Sequence, residues 1–188
     1  MSRASIFFGA RTEIPGFYRP EKEWDLLVVI DGVLRVAIEL KSQVGPSFGN
    51  NANNRIEEAL GSAIDARRAS SAGLLGAANG QPWLGYLFLL EDATGSRRKV
   101  RPAESHFPVD PIFKSSSYVE RYAALCRRLE REGVYSATCL LLSPRAKTGA
   151  YSEPAPDLGI VRFLRSLRDH SLGHGVTSRL SSRQNQLQ

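Results

Sequence analysis

Apolar residues along the chain fall in short runs separated by polar, glycine- and proline-rich stretches, and the period of each run predicts its structure. Residues 4–8 (ASIFF) read as a short strand, and 12–20, with Pro15-Gly16 and Pro20, as a loop. Residues 24–30 (WDLLVVI) and 33–41 (VLRVAIELK) are two strands joined by Asp31-Gly32, a strong hairpin signal. Both are apolar at nearly every position, which predicts a sheet covered on both faces. After a loop over 43–51, Ile56, Ala59, Leu60, Ala63 and Ile64 repeat at helical spacing and predict a helix over 54–68 with that stripe buried. Residues 83–90 form another buried strand, followed by a long, polar, basic stretch to Ser116. Ser117 and Glu120 have capping-box spacing and open a helix with Tyr118, Tyr122, Leu125, Cys126 and Leu129 on one side. A last strand over 135–142 and a helix over 160–169 follow, and the polar, aperiodic residues 171–188 predict a disordered tail. The order of elements describes an α/β fold, a mixed sheet flanked by helices, in one domain over 1–170.

Composition adds location and partner class. The longest apolar runs fall far short of the ~20 residues that span a bilayer, and residues 6–8 are too short for the apolar core of a signal peptide. With only two cysteines, Cys126 and Cys139, the expected compartment is reducing and cytoplasmic. The net charge is +6; residues 1–90 hold 9 basic and 9 acidic side chains, residues 91–188 hold 16 and 10. The surplus therefore lies wholly in the second half, and all but five of the basic residues are arginine, which suits phosphate and guanine. Solvated helix faces account for such a surplus equally well.

Chemistry concentrates on the hairpin. Glu39 and Lys41 share one face of their strand, with Leu40 on the other, and Asp25 enters the partner strand. Roughly one [Asp/Glu]-x-Lys triplet is expected by chance in a chain of this length, so the triplet carries weight only through its place on a buried hairpin opposite an aspartate. Phosphodiester hydrolysis needs a hard cation on carboxylate oxygens, an activated water and positive charge at the transition state. Asp25 and Glu39 suit the first, Lys41 the other two; the alternative is a structural Glu–Lys pair at a strand end.

This assignment makes a geometric demand. A strict two-residue loop, Asp31-Gly32, sets Asp25 opposite Ile38 and turns Glu39 to the other face. A three-residue loop or one bulge instead sets Asp25 opposite Glu39. The odd-numbered loop or the bulge is the expectation.

At these residues the chain resembles the XhoI-type type II restriction endonucleases of the PD-(D/E)xK nuclease superfamily. The likeness runs over about residues 4 to 145, through WDLLV and the block to Gln43, VGPSFGNNANNRIEEALGSAIDA, PGFYRP, HFPVDPIF and SSYVERYAALCRRL. It implies a restriction-endonuclease-like core that cleaves duplex DNA at the palindromic hexamer CTCGAG with Mg2+. It further implies Asp25, Glu39 and Lys41 as the catalytic trio, with the ion on Asp25, Glu39 and the Leu40 carbonyl. A homodimer and a cognate DNA methyltransferase in the same system are expected with it. The chain starts almost within its first strand, so the first core helix of the family is expected to be missing. An inactive remnant and a different PD-(D/E)xK repair nuclease are the alternatives.

Residue type makes Asn50, Asn51, Asn53, Asn54 and Arg55 fit either for base edges or for turning the chain and capping the helix. The resemblance implies DNA contact for them; Arg97, Arg98, Lys99 and His106 are further candidates for DNA contact because they lie in the long basic stretch, with a histidine packed within the loop as the competing reading for His106.

Overall fold

The computed structural model describes residues 4–76, 80–104 and 106–184, with 173–184 by backbone alone. Five strands form one sheet in the order β1 (Ala4–Phe8), β4 (Leu26–Ile30), β5 (Val33–Gln43), β6 (Trp83–Glu91), β7 (Ala137–Ser143). The pairs β1/β4 and β4/β5 are antiparallel, as hairpins allow, and β5/β6 and β6/β7 are parallel. Helices α1 (Phe48–Ser71) and α3 (Tyr118–Arg131) supply the crossovers between the parallel strands. The expected mixed sheet flanked by helices is what forms.

Two apolar clusters lie on the two sides of the sheet. On the α1/α3 side, Leu27, Ala37, Tyr86, Phe88 and Leu140 meet Ala59, Ala63, Tyr122, Cys126 and Leu129. On the other side, Val36, Ile38, Trp83 and Cys139 meet Phe163 of α4 (Ile160–Gln184). The cover stops short of the edge strand: Ile6 and Phe8 of β1 are 72% and 71% exposed, against the expectation of two covered faces throughout.

Other differences have local causes. Residues 12–20, expected as a plain loop, contribute β2 (Glu13–Pro15), which pairs with β3 (Glu21–Glu23) in a separate two-stranded sheet. Helix α1 begins six residues earlier than the apolar stripe indicates. Its start is set by tertiary contacts: Phe48 is buried and stacked at 5.8 Å on Tyr118, and the Gln43 side chain donates to the Phe48 carbonyl. Its buried face is also rotated. Ala52, Ala59, Ala63, Ala66 and Ala69 face inward, whereas Ile64 is 45% exposed, because alanine lets the helix approach closely. Within the long basic stretch lies a short helix, α2 (Thr94–Arg97). Helix α4 continues past Asp169 across most of the stretch expected to lack structure; residues 185–188 lie outside the described residues. The α3 capping box forms as expected, Ser117 N–H donating to Glu120 Oε2 at 2.7 Å and Glu120 N–H to Ser117 Oγ at 3.3 Å. Both cysteines are buried free thiols.

Candidate active site

The β4/β5 hairpin meets its geometric demand by a bulge. Asp31 and Gly32 both have positive φ (51° and 77°), the backbone of a tight two-residue turn, so Ile30 pairs with Val33 and Val29 with Leu34. Val28 then pairs with Val36, which leaves Arg35 as the extra residue. From there Leu26 stands opposite Ile38, and continuing the register sets Asp25 opposite Glu39. Core packing gives the same phase: Leu27 and Ala37 belong to the α1/α3 cluster, Leu26 and Ile38 pack on the α4 side. Asp25 and Glu39, one position further, therefore both fall on the α1/α3 side.

Glu39 is only 2% exposed, and a carboxylate so far out of water needs charged partners. It has two. Oε1 lies 2.5 Å from Lys41 Nζ, and Oε2 lies 2.9 Å from Lys22 Nζ. Asp25 is half-buried, and its Oδ2 accepts the backbone N–H of Leu40 at 2.6 Å. That bond ties one acid to the residue between the other acid and Lys41. Tyr86, the β6 neighbour of Glu39 in register, is fully buried, and burial above all, with minor help from Glu39 and other neighbours, pushes its phenol far up and keeps it neutral.

Oxygen donors on two acids suit a hard cation such as Mg2+, which binds through one or two carboxylates and keeps several waters. Among the described residues, no group of three or more His, Cys, Asp and Glu side chains is placed to hold a metal ion. An ion at Asp25 and Glu39 would thus complete its shell with backbone oxygen, water or phosphate.

The residues assigned to DNA separate into two sets. Asn50, Asn51, Asn53, Asn54 and Arg55 all lie on the first two turns of α1; Asn50, Asn53 and Asn54 are exposed, and Arg55 pairs with Glu58. Arg97 and Lys99 are exposed but engaged, Arg97 with Asp92 at 2.5 Å and Lys99 with Glu120. Arg98 instead lines a cleft of about 540 Å³ with Gly45, Phe48, Gly49, Tyr118 and Arg145, and so faces the start of α1. His106 is exposed in the loop that follows.

Three site features escape sequence reading. Lys22 sits in an EKE triplet that looks like a solvated strand. Gln43, on the face of Glu39 and Lys41, is buried and accepts the Tyr122 hydroxyl from α3. Asp65 is buried on α1, accepts the N–H groups of Phe17 and Tyr18 at 2.7 and 2.8 Å and pairs with Arg19 at 2.9 Å, so it anchors the β2–β3 hairpin. Its signal was an acid within the alanine face of α1.

Residues 1–153 match the model of the family described as Restriction endonuclease XhoI. The chain is 45% identical over 177 residues to the type II restriction enzyme BstVI of Geobacillus stearothermophilus, covering 90% of this chain and 79% of that one. It is 50% identical over 131 residues to the type II restriction enzyme XhoI of Xanthomonas vasicola (70% and 52% covered). It is also 50% identical over 94 residues to AbrI of Azospirillum brasilense (50% and 42%), so it spans about half the length of these last two. No solved structure matches. With four-fifths of its length inside the family match, the chain belongs to the XhoI restriction endonuclease family.

Proposed function

We propose that this protein is a type II restriction endonuclease that hydrolyses both strands of duplex DNA at a palindromic hexamer, CTCGAG, with Mg2+. The observation that carries the reading is the bulge-set register that sets Asp25 opposite Glu39, with Lys41 2.5 Å from the latter. Asp25, Glu39 and the Leu40 carbonyl hold the ion, which when bound supplies Lewis-acid charge to the scissile phosphate and lowers the pKa of the attacking water. Lys41, held by Glu39, keeps a positive charge where the phosphate charge develops and orients the water. The Leu40 N–H fixes the Asp25 carboxylate, so neither acid has to be ordered during the reaction. Asn50, Asn51, Asn53, Asn54 and Arg55 read base edges from α1, while Arg97, Arg98, Lys99 and His106 hold the backbone. Residues 1–170 act as the nuclease domain. A palindrome is matched most simply by a two-fold homodimer, and a methyltransferase of the same specificity protects the host DNA in the cytoplasm. No described helix is long and apolar enough to cross a membrane.

The test is digestion of plasmid DNA with and without Mg2+ by the wild type and Glu39→Gln. The expected result is discrete fragments whose ends map to CTCGAG sites, dependent on Mg2+ and lost in the variant. Absence of cleavage under any divalent ion, or cleavage that survives Glu39→Gln, overturns the assignment.

A further inference from the structure

We propose that Lys22 is a positioning residue of this site that balances its charge, so that a divalent ion binds tightly only once DNA phosphate is present. The inference rests on the nuclease reading above. Lys22 is not a loose surface lysine. Its side chain is 13% exposed, and Nζ donates to Glu39 Oε2 at 2.9 Å and to the Glu23 carbonyl at 2.6 Å, 5.1 Å above the Trp24 ring. Trp24 is itself buried and tied to Thr12 through its backbone N–H. The hairpin that carries Lys22 is clamped to α1 by Asp65 through Phe17, Tyr18 and Arg19. The ammonium is therefore delivered to Glu39 by a separate two-stranded sheet with its own anchor.

Charge gives this placement its consequence. Asp25, Glu39 and Lys41 alone leave one net negative charge to attract a cation; Lys22 cancels it. A dication entering a neutral site beside two ammoniums meets strong repulsion at short range in a partly buried setting. A phosphodiester brings the missing negative charge, so ion and DNA favour each other's binding. Lys22 acts through Glu39 and the ion.

The experiment is calorimetric titration of the full chain with Mn2+, with and without a duplex carrying the site, for wild type, Lys22→Gln and Lys22→Arg. Without DNA, K22Q is expected to bind Mn2+ about tenfold or more tightly than wild type, and K22R to match wild type. Duplex is expected to tighten Mn2+ binding by about the same factor in wild type and by much less in K22Q. Equal or weaker binding by K22Q, or tightening by K22R as well, overturns the proposal. Should K22Q not fold, the wild type alone decides: Mn2+ affinity indifferent to duplex overturns it. Unchanged ion affinity in K22Q beside a wild type that cleaves DNA refutes Lys22 alone. A wild type that cleaves nothing and binds Mn2+ no differently from Glu39→Gln refutes the nuclease reading with it.

Discussion

The carboxylate of Asp25 accepts the backbone N–H of Leu40 at 2.6 Å, although fourteen residues and a full hairpin separate them. Their meeting depends on Arg35 being left out of the pairing as a bulge in β5. Were the two-residue turn followed by regular pairing, Asp25 would face Ile38 and Glu39 would enter the α4 side of the sheet.

Two variants of β5 probe the register. Deleting Arg35 removes the unpaired residue and leaves Leu26 opposite Ile38, so this variant is expected to keep Mg2+-dependent cleavage to within about tenfold. Inserting one alanine between Ala37 and Ile38 turns Glu39 to the other face and is expected to abolish cleavage in a protein that still folds. Plasmid digestion beside circular dichroism checks both; equal activities would separate the chemistry from the register.

Lys41→Ala tests the third member of the trio. Removing a preorganised positive charge from a transition state costs about 10²–10³ in kcat. That loss is expected at saturating Mg2+, with duplex affinity in Ca2+ nearly unchanged, because the role proposed for Lys41 is on developing charge. Undiminished single-turnover cleavage by Lys41→Ala would remove it from the chemistry.

The need for a bulge was legible because charges on an apolar hairpin and the alternation of a strand constrain each other. The α3 capping box was legible because Ser117 and Glu120 lie within one turn. What stayed hidden was long-range. Lys22 reaches Glu39 across 17 residues, Asp65 reaches Phe17 across 48, and Tyr122 reaches Gln43 across 79, and each looks ordinary in its own neighbourhood. The early start of α1 was hidden for the same reason: its asparagines are poor helix formers, and contacts to Phe48 from β5 and α3 override them.

Asp65 anchors the hairpin that carries Lys22. Asp65→Ala leaves two backbone N–H groups and Arg19 without their acceptor and is expected to cost about 2–4 kcal/mol of stability. Urea unfolding measures it. A loss below about 0.5 kcal/mol would show that water replaces the carboxylate, as at exposed pairs.

Glu120 sets an acid limit on α3. The hydrogen bond from Lys99, then that from the Ser117 N–H, hold its carboxyl down to about 2, from an ordinary 4.5. A carboxyl lowered in the folded state contributes its full stability above 4.5 and loses it as pH falls towards 2. Because the side chain is half exposed, the contribution is at most about 1 kcal/mol. Glu120→Gln keeps the capping geometry without the charge. Its melting temperature is expected to lie below wild type at pH 6 and to converge on it near pH 2; a gap constant with pH would contradict the ionic account.

Gln43 and Tyr122 test whether the end of β5 is fixed by a buried polar pair. Gln43 continues the face of Glu39 and Lys41, its Oε1 accepts the Tyr122 hydroxyl and its amide donates to the Phe48 carbonyl, so β5, α1 and α3 meet at one side chain. Both residues are nearly sealed from solvent, at 4% and 1% exposure, so water cannot replace a lost partner cheaply. Tyr122→Phe strands the Gln43 oxygen and is expected to cost about 1–2 kcal/mol; Gln43→Met strands the tyrosine hydroxyl at similar cost. The double variant removes both polar ends together. It is expected to be more stable than the sum of the single losses by about 1 kcal/mol in a urea-unfolding double-mutant cycle. Strict additivity would mean that the two groups are satisfied independently and that α3 does not fix the strand through this bond.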